Sequence, residues 1–121
     1  MKTYRSEFAR ALIGAIAITV IAAPSVGAAV VTWDASGDST WSGPSDATSW
    51  SGATYNDGDD AEFLGAGTGT VTITGTVNPL SVTVNSAAAA DYTFAGGGIG
   101  GAATLAKAGA SRLFLDAANT Y

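Results

Sequence analysis

The chain has 121 residues, with ten acidic and five basic side chains, 16 glycines, no histidine and no cysteine. That composition excludes a disulfide framework, thiolate or imidazole zinc sites, and Ser–His or Cys–His nucleophiles. A net charge of −5 argues against a nucleic-acid partner, which needs basic charge to displace its counterions, and the length suits a single domain.

Residues 1–28 read as a secretory signal peptide. Lys2, Arg5 and Arg10 stand against the lone acid Glu7, and residues 11–23 (ALIGAIAITVIAA) then carry no charge until Pro24. Val26-Gly27-Ala28 supplies small or branched side chains at the positions a signal peptidase reads. Cleavage is expected after Ala28, or one residue later after Ala29. The alternative is a retained membrane anchor, since the uncharged stretch runs from Ala11 to Trp33, nominally long enough to span a bilayer. Pro24 and Gly27 interrupt that stretch and no basic cluster follows it, which favours cleavage and leaves no membrane span afterwards. The mature piece of 93 residues then holds two basic and nine acidic side chains, a net charge of −7. Such a chain is exported, repels anionic polymers, and coheres by packing and backbone hydrogen bonds without disulfide help.

Residues 29–65 are rich in Trp, Ser and Asp, with Trp33, Trp41 and Trp50 spaced eight and nine apart. These indoles, with Tyr55, admit two readings. They could offer flat faces to a sugar, making Trp33, Trp41 and Trp50 candidate glycan contacts. They could instead plug the open end of a stacked fold, since large aromatics bury the most area per residue. The cap is favoured, because a terminal repeat has no upstream neighbour.

Residues 56–62 (NDGDDAE) hold the densest acidic cluster. Calcium takes six to eight oxygen ligands, but EF-hand spacing is absent. Asp and Gly at this density suit an Asx-type turn leading into a strand over residues 61–64. Catalysis by these acids has little support: glycosidases need a carboxylate pair held across a cleft, and lyases want a basic residue where only Lys107 and Arg112 remain. No cofactor is implied by any residue pattern.

From residue 66 the chain becomes Thr, Gly, Ala and Val with short apolar pulses. Residues 70–74 (TVTIT) place Val71 and Ile73 on one face. Residues 80–84 (LSVTV) place Leu80, Val82 and Val84 inward. Residues 91–94 (DYTF) do so with Tyr92 and Phe94, and residues 112–115 (RLFL) make a fourth run. Period two over four or five residues predicts strands with one buried face. Gly75, Asn78-Pro79, residues 96–98 and residues 108–110 read as turns. Residues 96–101 (GGGIGG) superficially resemble a phosphate loop but lack its Lys-Ser/Thr ending, so a tight corner is expected. The one possible helix, residues 87–90, is too short to stand alone. Lys107 and Arg112 read as solvated strand-edge charges that discourage edge pairing.

Short strands at roughly ten-residue spacing suit a sandwich, a barrel or a β-solenoid. Small inward residues and Gly-rich corners favour the solenoid, an all-β right-handed parallel β-helix, over a small β-sandwich with its heavier core. The divisions expected are signal peptide 1–28, aromatic-rich capping segment 29–65, and solenoid coils 66–121.

Residues 104–121 resemble the autotransporter-associated β-strand repeat, which reads approximately L-x-K-x-G-x-G-x-L-x-L-x-G-x-N-x-Y. Leu105, Lys107, Gly109, Leu113, Leu115, Asn119 and Tyr121 match it, while Ser111 and Asp116 depart. Upstream, Trp33-Asp34, Trp41, Trp50, Gly58-Asp59 and Phe63 are similar to the segment that opens the first coil in such proteins. The resemblance implies a passenger-type β-helix, secreted or on the outer cell surface, of structural or adhesive character and without catalytic activity. Its partners would be extracellular polysaccharide or a neighbouring cell surface. It further implies an N-terminal fragment, ending inside a repeat and able to self-associate through an open solenoid end. The alternative function is a carbohydrate-binding or carbohydrate-active β-helix module.

Overall fold

A computed structural model describes residues 27–51 and 53–121. The signal-peptide reading of residues 1–28 falls almost wholly outside the described residues. Among the described residues every regular element is a strand, and none is a helix. In chain order they are β1 (Val30–Thr32), β2 (Thr40–Ser42), β3 (Ser45–Asp46), β4 (Tyr55–Asn56), β5 (Asp60–Phe63), β6 (Gly69–Val77), β7 (Ser81–Asn85), β8 (Tyr92–Ile99), β9 (Thr104–Ala108) and β10 (Leu113–Leu115).

The strands form two four-stranded parallel sheets, ordered β1-β5-β7-β9 and β10-β8-β6-β2, and a small antiparallel pair, β3-β4. Parallel neighbours need a long crossover between them. Here the crossover carries a strand of the facing sheet, so beyond the β3–β4 excursion the chain alternates from one sheet to the other. In the first sheet Asp60 pairs with Ser81 and Ser81 with Thr104, offsets of 21 and 23 residues. In the second, Gly69 pairs with Tyr92 and Tyr92 with Leu113, offsets of 23 and 21. The parallel pairing removes an antiparallel sandwich from consideration. Strands on both sides of residue 66 share both sheets, so the change in composition there does not interrupt the pairing.

Alternation explains which side chains are buried. Successive strand residues point to opposite faces, and Val71, Ile73, Val82, Val84, Tyr92 and Phe94 are buried as the period-two pattern requires. Stacked register turns this into ladders: Val31, Ala61, Val82 and Leu105 lie in line across the first sheet. The Thr residues between the buried positions of β6, Thr72 and Thr74, are exposed.

One apolar assignment needs correction. Leu80 is 56% exposed, because it follows Pro79 in the connection and β7 begins only at Ser81. At the outer edge, Leu115 pairs with Phe94 yet is 42% exposed, because β10 is the outer strand of its sheet and no strand among the described residues stacks beyond it. Residues 87–90 form a turn, closed by Ala90 N–H donating to Ala87 O at 3.0 Å.

Gly75 and residues 96–98 are not turns between strands. They lie inside β6 and β8, where the register slips between Ile73 and Thr76. Gly75 and Gly96 take φ of 68° and 94°, the left-handed region that glycine enters without a Cβ penalty. The strands bend together here, and a Cβ on Gly97 would run into the carbonyl oxygen of Gly75. Gly97→Ala is therefore expected to cost more than about 1 kcal/mol, the ordinary ceiling for Gly–Ala propensity differences. The expected sign is destabilising, although alanine is the better strand former. An unchanged melting temperature in thermal denaturation would contradict this nesting of β6 and β8.

Candidate functional site

The acidic segment is held between the end of β4 and the start of β5, and its carboxylates are engaged by neighbouring donors. Asp57 Oδ1 accepts from the Tyr55 hydroxyl at 3.0 Å and from Asn78 N–H at 2.9 Å. Asp59 Oδ2 accepts from Asn56 N–H at 2.8 Å, and Asp59 N–H donates to Asn56 O at 3.0 Å. Together these bonds close the turn that the Asn-Asp-Gly-Asp sequence suggests. Asp60 Oδ1 accepts from Ser81 Oγ at 2.6 Å across the first sheet. Among the described residues no three acids converge in an arrangement able to hold a metal ion.

The candidate sugar contacts have a different fate. Trp33, Trp41 and Trp50 are 0%, 0% and 3% exposed. They lie between the sheets in one aromatic cluster with Tyr55, Phe63, Tyr92 and Phe94. Trp41 meets Trp50 edge-on at 5.4 Å, Trp50 stacks on Tyr55 at 5.3 Å, and Phe63 from the first sheet meets Phe94 from the second at 4.9 Å. No indole face is open to a sugar, which corrects the glycan-contact reading of these three residues. Burial is favoured because each ring removes a large apolar area from water. No cavity or cleft opens among the described residues.

The polar ends of the cluster are mostly satisfied. Trp33 Nε1 donates to Gly67 O at 3.0 Å, and Trp50 Nε1 to Asp46 Oδ2 at 3.2 Å. The Tyr92 hydroxyl donates to Ala66 O at 2.6 Å and accepts from Gly65 N–H at 2.8 Å. Burial pushes the Tyr92 phenol above its ordinary value. Burial, reinforced by the Asp57 carboxylate, does the same more strongly to Tyr55. Trp41 Nε1 lies near the Tyr55 hydroxyl but has no partner at hydrogen-bond geometry.

Sequence reasoning missed Asp46. It is 4% exposed and accepts from Ser42 N–H, Thr48 N–H and Thr48 Oγ1 as well as from Trp50. The Asp-Ala-Thr order is an Asx-turn signal that could have revealed it. The buried pair Ser86 and Ser111, 2.6 Å apart between hydroxyls, had no such local signal. Ser111 sits where the repeat resemblance left a mismatch, and its hydroxyl binds the preceding pass of the chain.

At the outer edge, Lys107 occupies the register position opposite Val84 and shares the strand face of Leu105. Its Nζ donates to Ala108 O at 2.7 Å. Asn119, a residue of the resemblance, accepts from Ile99 N–H at 2.9 Å and thereby fastens the tail to the end of β8.

Arg112 binds Asp91 through its backbone N–H at 2.7 Å, its Nε at 3.0 Å and a guanidinium contact of 2.8 Å. That N–H first, and then the guanidinium, hold the Asp91 carboxyl below the ordinary carboxylate range. A depressed folded-state value contributes stability that is present above the unfolded value of about 3.9 and is lost as pH falls through the folded one. The site is exposed, so the effect is local. Acidification below about pH 4, or Asp91→Asn at neutral pH, should loosen β10. Amide exchange at Arg112 is the measurement, and equal exchange in Asp91→Asn and wild type would contradict the clasp.

Comparison with protein-family models, curated proteins and solved structures gives no significant match to this chain.

Proposed function

We propose that this chain is an exported, non-catalytic β-helix of the passenger type, acting as a structural or adhesive element at the cell surface. The observation that carries the reading is the in-register stacking of successive passes in both sheets, at offsets of 21–23 residues after a longer first pass of 30 and 32. One pass through both sheets is then one coil. Right-handed winding follows the general rule for parallel crossovers. Residues 29–65 act as the aromatic cap of the first coil, and Thr-rich outer faces contact the partner, an extracellular polysaccharide or a neighbouring cell. The resemblance of residues 104–121 to the autotransporter-associated repeat supports the same reading. The carbohydrate-active alternative, motivated by the acidic cluster and the three indoles, loses the second of these with the burial of Trp33, Trp41 and Trp50.

In a solenoid each repeat contacts only its neighbours. A second copy of residues 81–103 inserted before Thr104 should therefore fold, with far-UV strand signal rising and cooperative melting retained. Loss of the folded state on insertion would count against the coil reading. Adhesion tests the function: cells exporting the chain should bind polysaccharide- or cell-coated surfaces better than cells retaining it. Turnover of any polysaccharide by the purified protein would overturn the non-catalytic assignment.

A further inference from the structure

We propose that Asp59 is the internal receptor for the processed N-terminus of the exported chain, and that the Ala29 α-ammonium, freed by cleavage after Ala28, docks on its carboxylate. The inference rests on the export reading and goes beyond it by selecting one of two cleavage positions and assigning a role to Asp59.

The geometry is specific. Ala29 N lies 3.0 Å from Asp59 Oδ1. Ala29 O accepts from Asp60 N–H at 2.8 Å, immediately before the β1–β5 ladder begins at the pair Val30 and Asp60. Asp59 is 8% exposed, and its other oxygen is already committed to Asn56 N–H. A buried carboxylate without a cation is costly, and no basic side chain among the described residues reaches it. Arg112 is engaged by Asp91, and Lys107 donates to carbonyls beside it. The titratable neighbours are the Tyr55 phenol and the acids Asp57 and Asp60, so the surroundings are neutral or negative and favour a cation at Ala29 N.

Hydrolysis of the Ala28–Ala29 peptide bond by water leaves a carboxylate on Ala28 and an amine on Ala29 that takes up a proton at neutral pH. The donor to the Asp59 carboxylate changes from a neutral amide N–H to a cationic one, so a hydrogen bond charged on one side becomes an ion pair. Cleavage one residue later would remove both Ala29 bonds, leaving Asp59 Oδ1 and Asp60 N–H without them. Processing after Ala28 thus keeps both Ala29 bonds at the head of the β1–β5 ladder and adds a positive charge to the donor.

The test uses the exported product of the full-length chain. N-terminal sequencing should give Ala29. The α-amine, followed by peptide mass spectrometry after brief reductive methylation at neutral pH, should react at least about tenfold more slowly in the folded protein than after urea unfolding, equivalent to one unit of raised basicity. The protection should disappear in folded Asp59→Asn. Because that variant could fail to fold, the folded-against-unfolded comparison in wild type stands by itself. A second readout is thermal melting. A raised amine contributes stability that is present below the ordinary α-amine value of about 7.7–8.0 and is lost as pH rises through the folded one. A chain beginning at Val30 overturns the docking while leaving export intact. An exported chain beginning at Met1 overturns both. A chain beginning at Ala29 whose amine reacts equally fast folded and unfolded, or equally slowly in folded Asp59→Asn, overturns the ion pair alone.

Discussion

Phe63→Ala is expected to cost about 3–5 kcal/mol, a large part of the stability of a domain of this size. Phe63 is completely buried and touches Trp33, Trp41, Trp50, Tyr92 and Phe94. It is the ring that joins the first sheet, the β3–β4 excursion and the second sheet. Truncation removes its own transfer energy and leaves a cavity that five large rings cannot close without leaving their packing. Domains of this size have a total stability of about 5–15 kcal/mol, and short strands with small side chains place this one toward the lower end. Trp41→Ala should be similarly severe. Trp41→Phe should cost clearly less, because it keeps the aromatic contacts with Tyr55 and Phe94 and removes the indole N–H that lacks a partner. Urea denaturation followed by Trp emission measures all three. A loss below about 1 kcal/mol for Phe63→Ala would mean that the aromatic cluster is not the centre of the fold.

The protein is expected to self-associate as its concentration rises, through the edge formed by β9 and β10. These are the outer strands of their sheets, and an outer strand presents unpaired N–H and C=O groups to any incoming strand. Apolar side chains accompany them: Phe114, Leu115 and Tyr121 are 45%, 42% and 41% exposed. The edge also carries its own deterrent. Lys107 shares a face with Leu105 and lies in register with the buried Val84, so a copy stacking there must desolvate or displace an ammonium. Lys107→Val should strengthen association by tenfold or more, since burying an unpaired charge costs more than about 1.4 kcal/mol. Appending a polar capping segment should weaken association by covering the edge. Sedimentation velocity over a wide concentration range is the measurement. A compact monomer at the highest concentration, with protected amides at Leu113 and Leu115, would overturn the open-edge prediction.

Much of the architecture was legible in the sequence because it depends on local alternation. A strand's inward and outward residues differ by one position, so Val71 and Ile73, Val82 and Val84, and Tyr92 and Phe94 declared their faces without any partner in view. The Asp-Gly turn before β5 was readable for a similar reason: it is closed by bonds spanning three residues, Asn56 to Asp59. What tertiary structure alone decided concerns neighbours distant in the chain. Leu80 has the phase of an inward residue but falls before its strand begins. Gly75 and Gly96 look like chain reversals, yet they bend two paired strands at a shared corner, a property of the β6–β8 register. The Trp spacing could not say whether the rings faced a sugar or one another. That outcome was set by the stacking of passes separated by 21 or more residues, which brings Phe63, Tyr92 and Phe94 against the indoles and makes burial the lower free-energy choice. Asp59 belongs to the same class. Its place in the turn is local, but its contact with Ala29, thirty residues away, exists only because β1 pairs with β5.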